Sequence, residues 1–377
     1  MMTHRAIGML SGLLMALVVC VLAPSAARAH RPTDPPHQLY QMGDLTLESG
    51  QVIRDFAISY VTHGTLNAKK SNAILMVTAL TGNHHRLDFL IGPSKALDPT
   101  KYFIICTDAI SNGLTTSPSN SKAQPRMQFP RFVMRDMVQS QHRLLTEKLG
   151  ITRVAAVIGP SMGGMQALQW GVSHPDFMDS LVAIVPLART PAWSTVVVDA
   201  SRKAIMLDPA WNGGNYTAPP VEGLRVFRDV VGFLAARTPE MYRYQFEKPL
   251  DVLPWLKQQE DAAIPLFDAN DYIYQTWAYE THDVSTTPGM GGDYAKALRA
   301  IKAKTLIMVG VKDLLNPDWE PLEAARYIRD VRTVTISPSS VTGHAAAGGF
   351  LPADVDLMNV EIGQFLELVT QRGEKLR

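Results

Sequence analysis

A mainly parallel α/β sheet wrapped by helices is the fold class this chain predicts, on three observations. Short runs rich in Val, Ile and Leu recur along it, most intervals between the later runs carry helical periodicity, and residues 189–299 break that rhythm without a clear strand. Uninterrupted apolar runs suit strands covered on both faces, and their alternation with helices implies crossover connections between parallel neighbours. Residues 45–47 and 56–61 alternate more strictly and read as an antiparallel edge. Buried strands are expected at 72–79, 102–109, 154–158, 180–187, 304–310 and 333–337, which makes eight in all. Residues 132–149 have helical spacing, with Gly150 as the stop. Residues 30–188 and 300–377 therefore make the core, and 189–299, rich in Pro, Trp and Tyr, a mostly helical insertion that forms a lid over the sheet.

Residues 1–29 read as an export signal. Arg5 precedes the apolar stretch 6–22, and Ala27-Arg28-Ala29 supplies the small-x-small pattern that signal peptidase cleaves. The expectation is a periplasmic or secreted protein starting near His30, with no stable membrane insertion after cleavage. Cys20 lies within this segment behind Val19, which argues against a lipoprotein site. Cys106 is then the sole cysteine of the mature chain, so no internal disulfide can form and stability rests on the core. A formal net charge of +1, without a basic stripe, gives nucleic acid no footing as a partner.

Chemistry concentrates at one junction. In "VAAVIGPSMGGMQALQW" (154–170) a strand-like run passes into a helix-like one through Gly159-Pro160-Ser161-Met162-Gly163, the G-x-S-x-G pattern of a sharp turn that lifts a serine hydroxyl clear of a sheet. A serine hydroxyl is a poor nucleophile at neutral pH, and it needs a base that is itself oriented by a carboxylate. On α/β-hydrolase sheets these follow in the order serine, acid, histidine, on loops after later strands. Asp313 follows the 304–310 strand and His344 the 333–337 strand. Ser161 is assigned as nucleophile, Asp313 as orienting acid and His344 as general base. His84, His85, His142, His174 and His282 compete as bases but follow no late strand, and Asp283 is the next acid. Oxyanion donors are expected from the backbone of Met162 and of Leu80, in the "TALTG" loop. Adjacent His84 and His85 without a carboxylate motif do not make a metal site, and no cofactor is expected.

The chain resembles the homoserine O-acetyltransferase family of α/β-hydrolase-fold enzymes, through "NAILMVTALTG", "GPSKALDPTKYFIIC", "GPSMGGMQALQW", "RKAIMLDPAWNGGNY", "FDANDYIYQTWAYETHD" and "GHAAAGG". The resemblance implies the same triad, a homodimer through the lid, and Arg202 as the residue facing a substrate carboxylate. It also exposes departures. The family's aspartate after the catalytic histidine, which holds the substrate ammonium, is Ala345. Two family arginines are replaced by Leu266 and Trp277, so the lid pocket is expected to be more apolar. The family is cytosolic, whereas this chain begins like an exported one. The leading expectation is an esterase acting on a small-molecule ester through an acyl-enzyme. An acyl-CoA-dependent O-acetyltransferase acting on homoserine or a similar alcohol comes second. A non-catalytic binding module comes last, since it predicts a broken triad.

Overall fold

The structure, a computed structural model, describes residues 37–336 and 342–375, so the expected export signal lies outside the described residues. One eight-stranded sheet runs in the order β1-β2-β4-β3-β5-β6-β7-β8. Its strands are β1 (Gln38–Thr46), β2 (Val52–His63), β3 (Ala73–Val77), β4 (Phe103–Thr107), β5 (Val154–Pro160), β6 (Met178–Ile184), β7 (Lys304–Gly310) and β8 (Val331–Ile336). The first two are antiparallel, as their alternation predicts, while β4, β3, β5, β6, β7 and β8 all run parallel.

The uninterrupted apolar runs have a direct cause. Successive strand residues point to opposite faces, and here both faces are covered. Leu75, Val77, Ile105, Val157, Leu181 and Ile307 pack on one side with α1 (Met134–Arg143) and α2 (Met162–Ser173). Ile74, Met76, Ile104, Cys106, Ile158, Val182 and Met308 pack on the other, where α10 (Pro352–Lys375) brings Met358, Ile362 and Phe365. Burial pushes the Cys106 thiol well above its ordinary pKa, which leaves it a small hydrophobe.

Six helices lie between β6 and β7: α3 (Ala192–Leu207), α4 (Val221–Arg228), α5 (Pro239–Gln245), α6 (Val252–Ala263), α7 (Ala269–Glu280) and α8 (Tyr294–Arg299). They have a small core of their own, with Ile205, Leu224, Phe227, Tyr272 and Ile273 fully buried in it. A seventh helix, α9 (Trp319–Ala325), separates β7 from β8. The strand order reverses at β3, whose neighbours are β4 and β5. The loops leaving β3 and β5 thus diverge at their carboxyl ends and leave a crevice, the usual place for a ligand in an open α/β sheet.

Candidate active site

The loop leaving β5 is the elbow. Ser161 sits at φ 55°, ψ −121°, a conformation a non-glycine residue adopts only when its surroundings impose it. The flanking glycines are steric necessities. A Cβ on Gly159 would lie 2.3 Å from the Gly163 carbonyl oxygen, and one on Gly163 would lie 2.5 Å from that of Val77. The Ser161 N–H donates to the Ile184 carbonyl at 2.8 Å, which ties the turn to β6.

Asp313 and His344 meet this serine although they lie far along the chain. His344 Nε2 is 2.8 Å from Ser161 Oγ, and its Nδ1 is 2.6 Å from Asp313 Oδ2. The other Asp313 oxygen accepts the N–H groups of Leu315 (2.8 Å) and Asn316 (2.7 Å). Burial raises the Asp313 pKa, and the imidazole beside it works in the opposite direction. All three predicted residues therefore form one hydrogen-bonded line.

Met162 opens α2, so its N–H has no partner within the helix. Leu80 lies in the loop after β3, half-buried, and that loop is held from two sides. The Thr81 N–H donates to Gln275 Oε1 on α7 (3.0 Å), and Gln166 Nε2 on α2 donates to the Thr78 carbonyl (3.0 Å). Gln166 in turn accepts from Gln141 (2.6 Å), whose own oxygen accepts the Trp170 indole N–H (2.7 Å). This buried chain joins the two loops that carry the expected oxyanion donors. Sequence reasoning missed it; the signal was Gln166, a glutamine in an otherwise largely apolar helix.

The rival histidines are occupied elsewhere. His84 pairs with Asp108 and His85 with Asp88, His142 stacks on His174 at 4.3 Å, and His282 faces the Leu187 carbonyl. Asp283 caps a short turn at Ser285. Among the described residues no group of three or more His, Cys, Asp or Glu is placed to hold a metal ion.

The α/β hydrolase fold family model matches residues 72–340. A homoserine O-acetyltransferase of Nostoc punctiforme is 34% identical over 332 residues, covering 83% of this chain and 92% of that enzyme. The chain belongs to the homoserine O-acetyltransferase family. It is an enzyme of the α/β-hydrolase fold, which leaves the non-catalytic reading without support. Among solved structures the acetyl esterase MekB superposes with a TM-score of 0.84 at 30% identity, covering 90% of this chain and 99% of that one. An acetylester hydrolase from Corynebacterium glutamicum gives 0.81 at 30%, covering 88% and 96%.

Within this family the chain's departures acquire positions. Arg202, read from the resemblance as a carboxylate binder, is buried on α3 with its guanidinium already engaged by Asp199 (2.9 Å), Glu280 (2.8 Å) and Thr276 (3.2 Å). Its charge is neutralised from within, which argues against that role. Ala345 is buried beside His344, and its N–H donates to the Ala236 carbonyl at 2.8 Å. Leu266 lines a small cavity with Thr81, Tyr272 and Gln275. Trp277 lies 3.7 Å beneath the Arg131 guanidinium, so cationic charge persists there in spite of the substitution.

Two arginines of the insertion stand over aromatic rings. Arg237 follows the Ala236 that grips the His344 loop, and its guanidinium lies over the rings of Phe233, Trp255 and Phe350. Arg228 stands over the same Phe233. Burial, then the charges of Arg237 and Arg86, bring the Arg228 pKa down to about 10. Asp229 pulls the Arg228 pKa back upward, and among the described residues the Nε groups of Arg86 and Arg228 have no hydrogen-bond partner. An apolar cavity of about 530 Å³ opens beside Arg237, walled by Met241, Tyr244, Trp255, Phe350 and Leu351.

Proposed function

We propose that the protein is a serine hydrolase that cleaves a small carboxylic ester through an acyl-enzyme on Ser161. His344 Nε2 takes the hydroxyl proton as Ser161 Oγ attacks the ester carbonyl. The backbone N–H groups of Met162 and Leu80 receive the oxyanion, and their value lies in being fixed before charge develops. The same imidazole gives the proton to the departing alkoxide, then takes one from water as it attacks the acyl-enzyme and passes it to Ser161 Oγ as the acid leaves. Asp313 holds the imidazole in the productive tautomer and stabilises the imidazolium.

The observation that carries hydrolysis over transfer is Ala345. A buried methyl group beside His344 cannot pair with the ammonium of an amino alcohol, and desolvating that ion without a partner costs several kcal/mol. Water needs no such partner. The largely apolar cavity walled by Trp255 and Phe350 is lined by none of Ser161, Asp313 and His344, so it is no argument for the group held at the serine. Likeness to an acetyl esterase and an acetylester hydrolase supports a short acyl group. Export through residues 1–29 agrees with hydrolysis too, since it removes the enzyme from acyl-CoA.

A second reading is acyl-CoA-dependent transfer to homoserine or a similar alcohol. The cluster of Arg86, Arg228 and Arg237 favours it, because it would welcome an acceptor's carboxylate or coenzyme A phosphates. Purified protein is to be assayed with p-nitrophenyl acetate and, separately, with acetyl-CoA plus homoserine. Nitrophenol release without homoserine-dependent thiol release is the expected result. Thiol release that rises with homoserine would reverse the order of the two readings.

A further inference from the structure

The segment after β7 does more than present Asp313. Within residues 314–320 it accepts hydrogen bonds from widely separated parts of the insertion. Trp193 Nε1 donates to the Leu314 carbonyl (2.5 Å), Ser194 Oγ to the Leu315 carbonyl (2.7 Å), the Tyr279 hydroxyl to Asn316 Oδ1, and the Tyr294 hydroxyl to Glu320 Oε1 (2.6 Å).

Asn316 is the residue on which these contacts converge with the acid. Its backbone N–H holds Asp313 Oδ1 at 2.7 Å, while its side chain donates to the Val185 carbonyl at 2.7 Å and accepts from Tyr279. Val185 is itself constrained: this β-branched residue has φ 43°, and its N–H donates to Met308 on β7. Tyr279 and Asn316 are almost wholly buried, so neither polar group can turn to water for a substitute. A tyrosine serving only to fill space would not need its hydroxyl here.

We propose that Asn316 and Tyr279 are positioning residues, through which α7 of the insertion fixes the Asp313 carboxylate against His344 and so sets the basicity of the imidazole. The inference rests on the catalytic reading of Ser161, His344 and Asp313. If α7 shifts, Asn316 shifts, and the N–H that orients Asp313 moves with it.

Tyr279→Phe removes one oxygen and keeps the ring. On p-nitrophenyl acetate its kcat should fall by roughly tenfold to a hundredfold, the scale expected for a small misplacement of a reacting group, with KM little changed. The acid limb of its kcat/KM profile should move to lower pH, because a displaced anion stabilises the imidazolium less. Asn316→Ser, too short to reach Tyr279 or Val185, should shift the limb the same way. An unchanged limb and unchanged kcat in a folded variant would overturn the proposal, whatever happens to its unfolding temperature. If one variant does not fold the other decides, and failure of both to fold marks the pair as structural and overturns it as well. The underlying catalytic reading fails separately, in the parent enzyme, if a fluorophosphonate does not label Ser161.

Discussion

Among the described residues two groups of serine, histidine and aspartate are hydrogen-bonded in different orders. In the first, Asp313 and Ser161 sit on opposite nitrogens of His344. In the second, His84 Nδ1 and Ser59 Oγ both converge on one oxygen of Asp108, at 2.7 and 2.6 Å. Burial does not separate them: Ser161, Asp313 and His344 are 4%, 3% and 6% exposed, and Ser59, Asp108 and His84 are 0%, 1% and 0%. The sequence of hydrogen bonds does. A serine bonded to the acid cannot pass its proton to the imidazole, so the second group is a staple. Asp108 also accepts from the His84 N–H and the Asn112 amide, each at 2.9 Å, and thereby joins β2 to the loops leaving β3 and β4.

The largest effect should come from the serine of the first group. Ser161→Ala is expected to lower kcat by about a millionfold, as loss of the nucleophile does in other triads. Its unfolding free energy should change by only about 1 kcal/mol, the scale of the one buried hydrogen bond removed. Near-native turnover would remove the distinction between the two groups. Asp313→Asn comes next, at about 10⁴-fold in kcat, because the amide favours the wrong tautomer. The matching change in the second group should behave oppositely. Asp108→Asn should cost about 3 kcal/mol of unfolding free energy, in the range for breaking a buried pair, while kcat for the ester stays close to the parent's. Loss of activity at full stability in that variant would mean that His84 belongs to the chemistry after all.

The same contrast explains what could be read from the chain alone. The meeting of Ser161, Asp313 and His344 was legible because each follows a strand that announces itself by composition, and because the glycines around Ser161 are dictated by close approach to Gly163 and Val77. Strands β3 to β7 were legible for a related reason, since both their faces are covered and the runs are largely apolar, whereas β1 and β2 showed themselves by alternation and β8, expected to be buried, is a half-exposed edge. The insertion was legible only as helical. Its helices are mostly short, α4 passes into a wider turn over Asp229–Ala235, and its contacts span long separations. Arg202 shows the consequence. Asp199 lies only three residues before it, but the Glu280 that completes its neutralisation lies 78 residues away, and no local pattern reveals that pair. Asn316 was hidden differently, since an asparagine just before a proline in a loop looks like ordinary turn chemistry.

The smallest effect sharpens the comparison with a third imidazole. His282 is buried at the start of a turn, with Nε2 donating toward the Leu187 carbonyl at 3.2 Å. Burial lowers its pKa to about 4, against a partial upward pull from Asp283 and a further lowering from Arg135. Below its ordinary value near 6.5 the unfolded chain takes up a proton that the folded one refuses. Its contribution is therefore intact above about pH 6.5, declines as the pH falls toward 4, and changes no further below that. His174, brought to about 4 chiefly by burial, acts in the same direction. His282→Gln keeps an N–H donor but cannot ionise, so the fall in unfolding free energy between pH 6.5 and 4 should shrink by roughly 2–3 kcal/mol. Its kcat at pH 8, where His282 is neutral in the parent too, should match the parent's. Urea unfolding at a series of pH values measures the slope. An unaltered slope would mean that His282 already takes its proton in the folded state, as a catalytic base must and a packed imidazole does not.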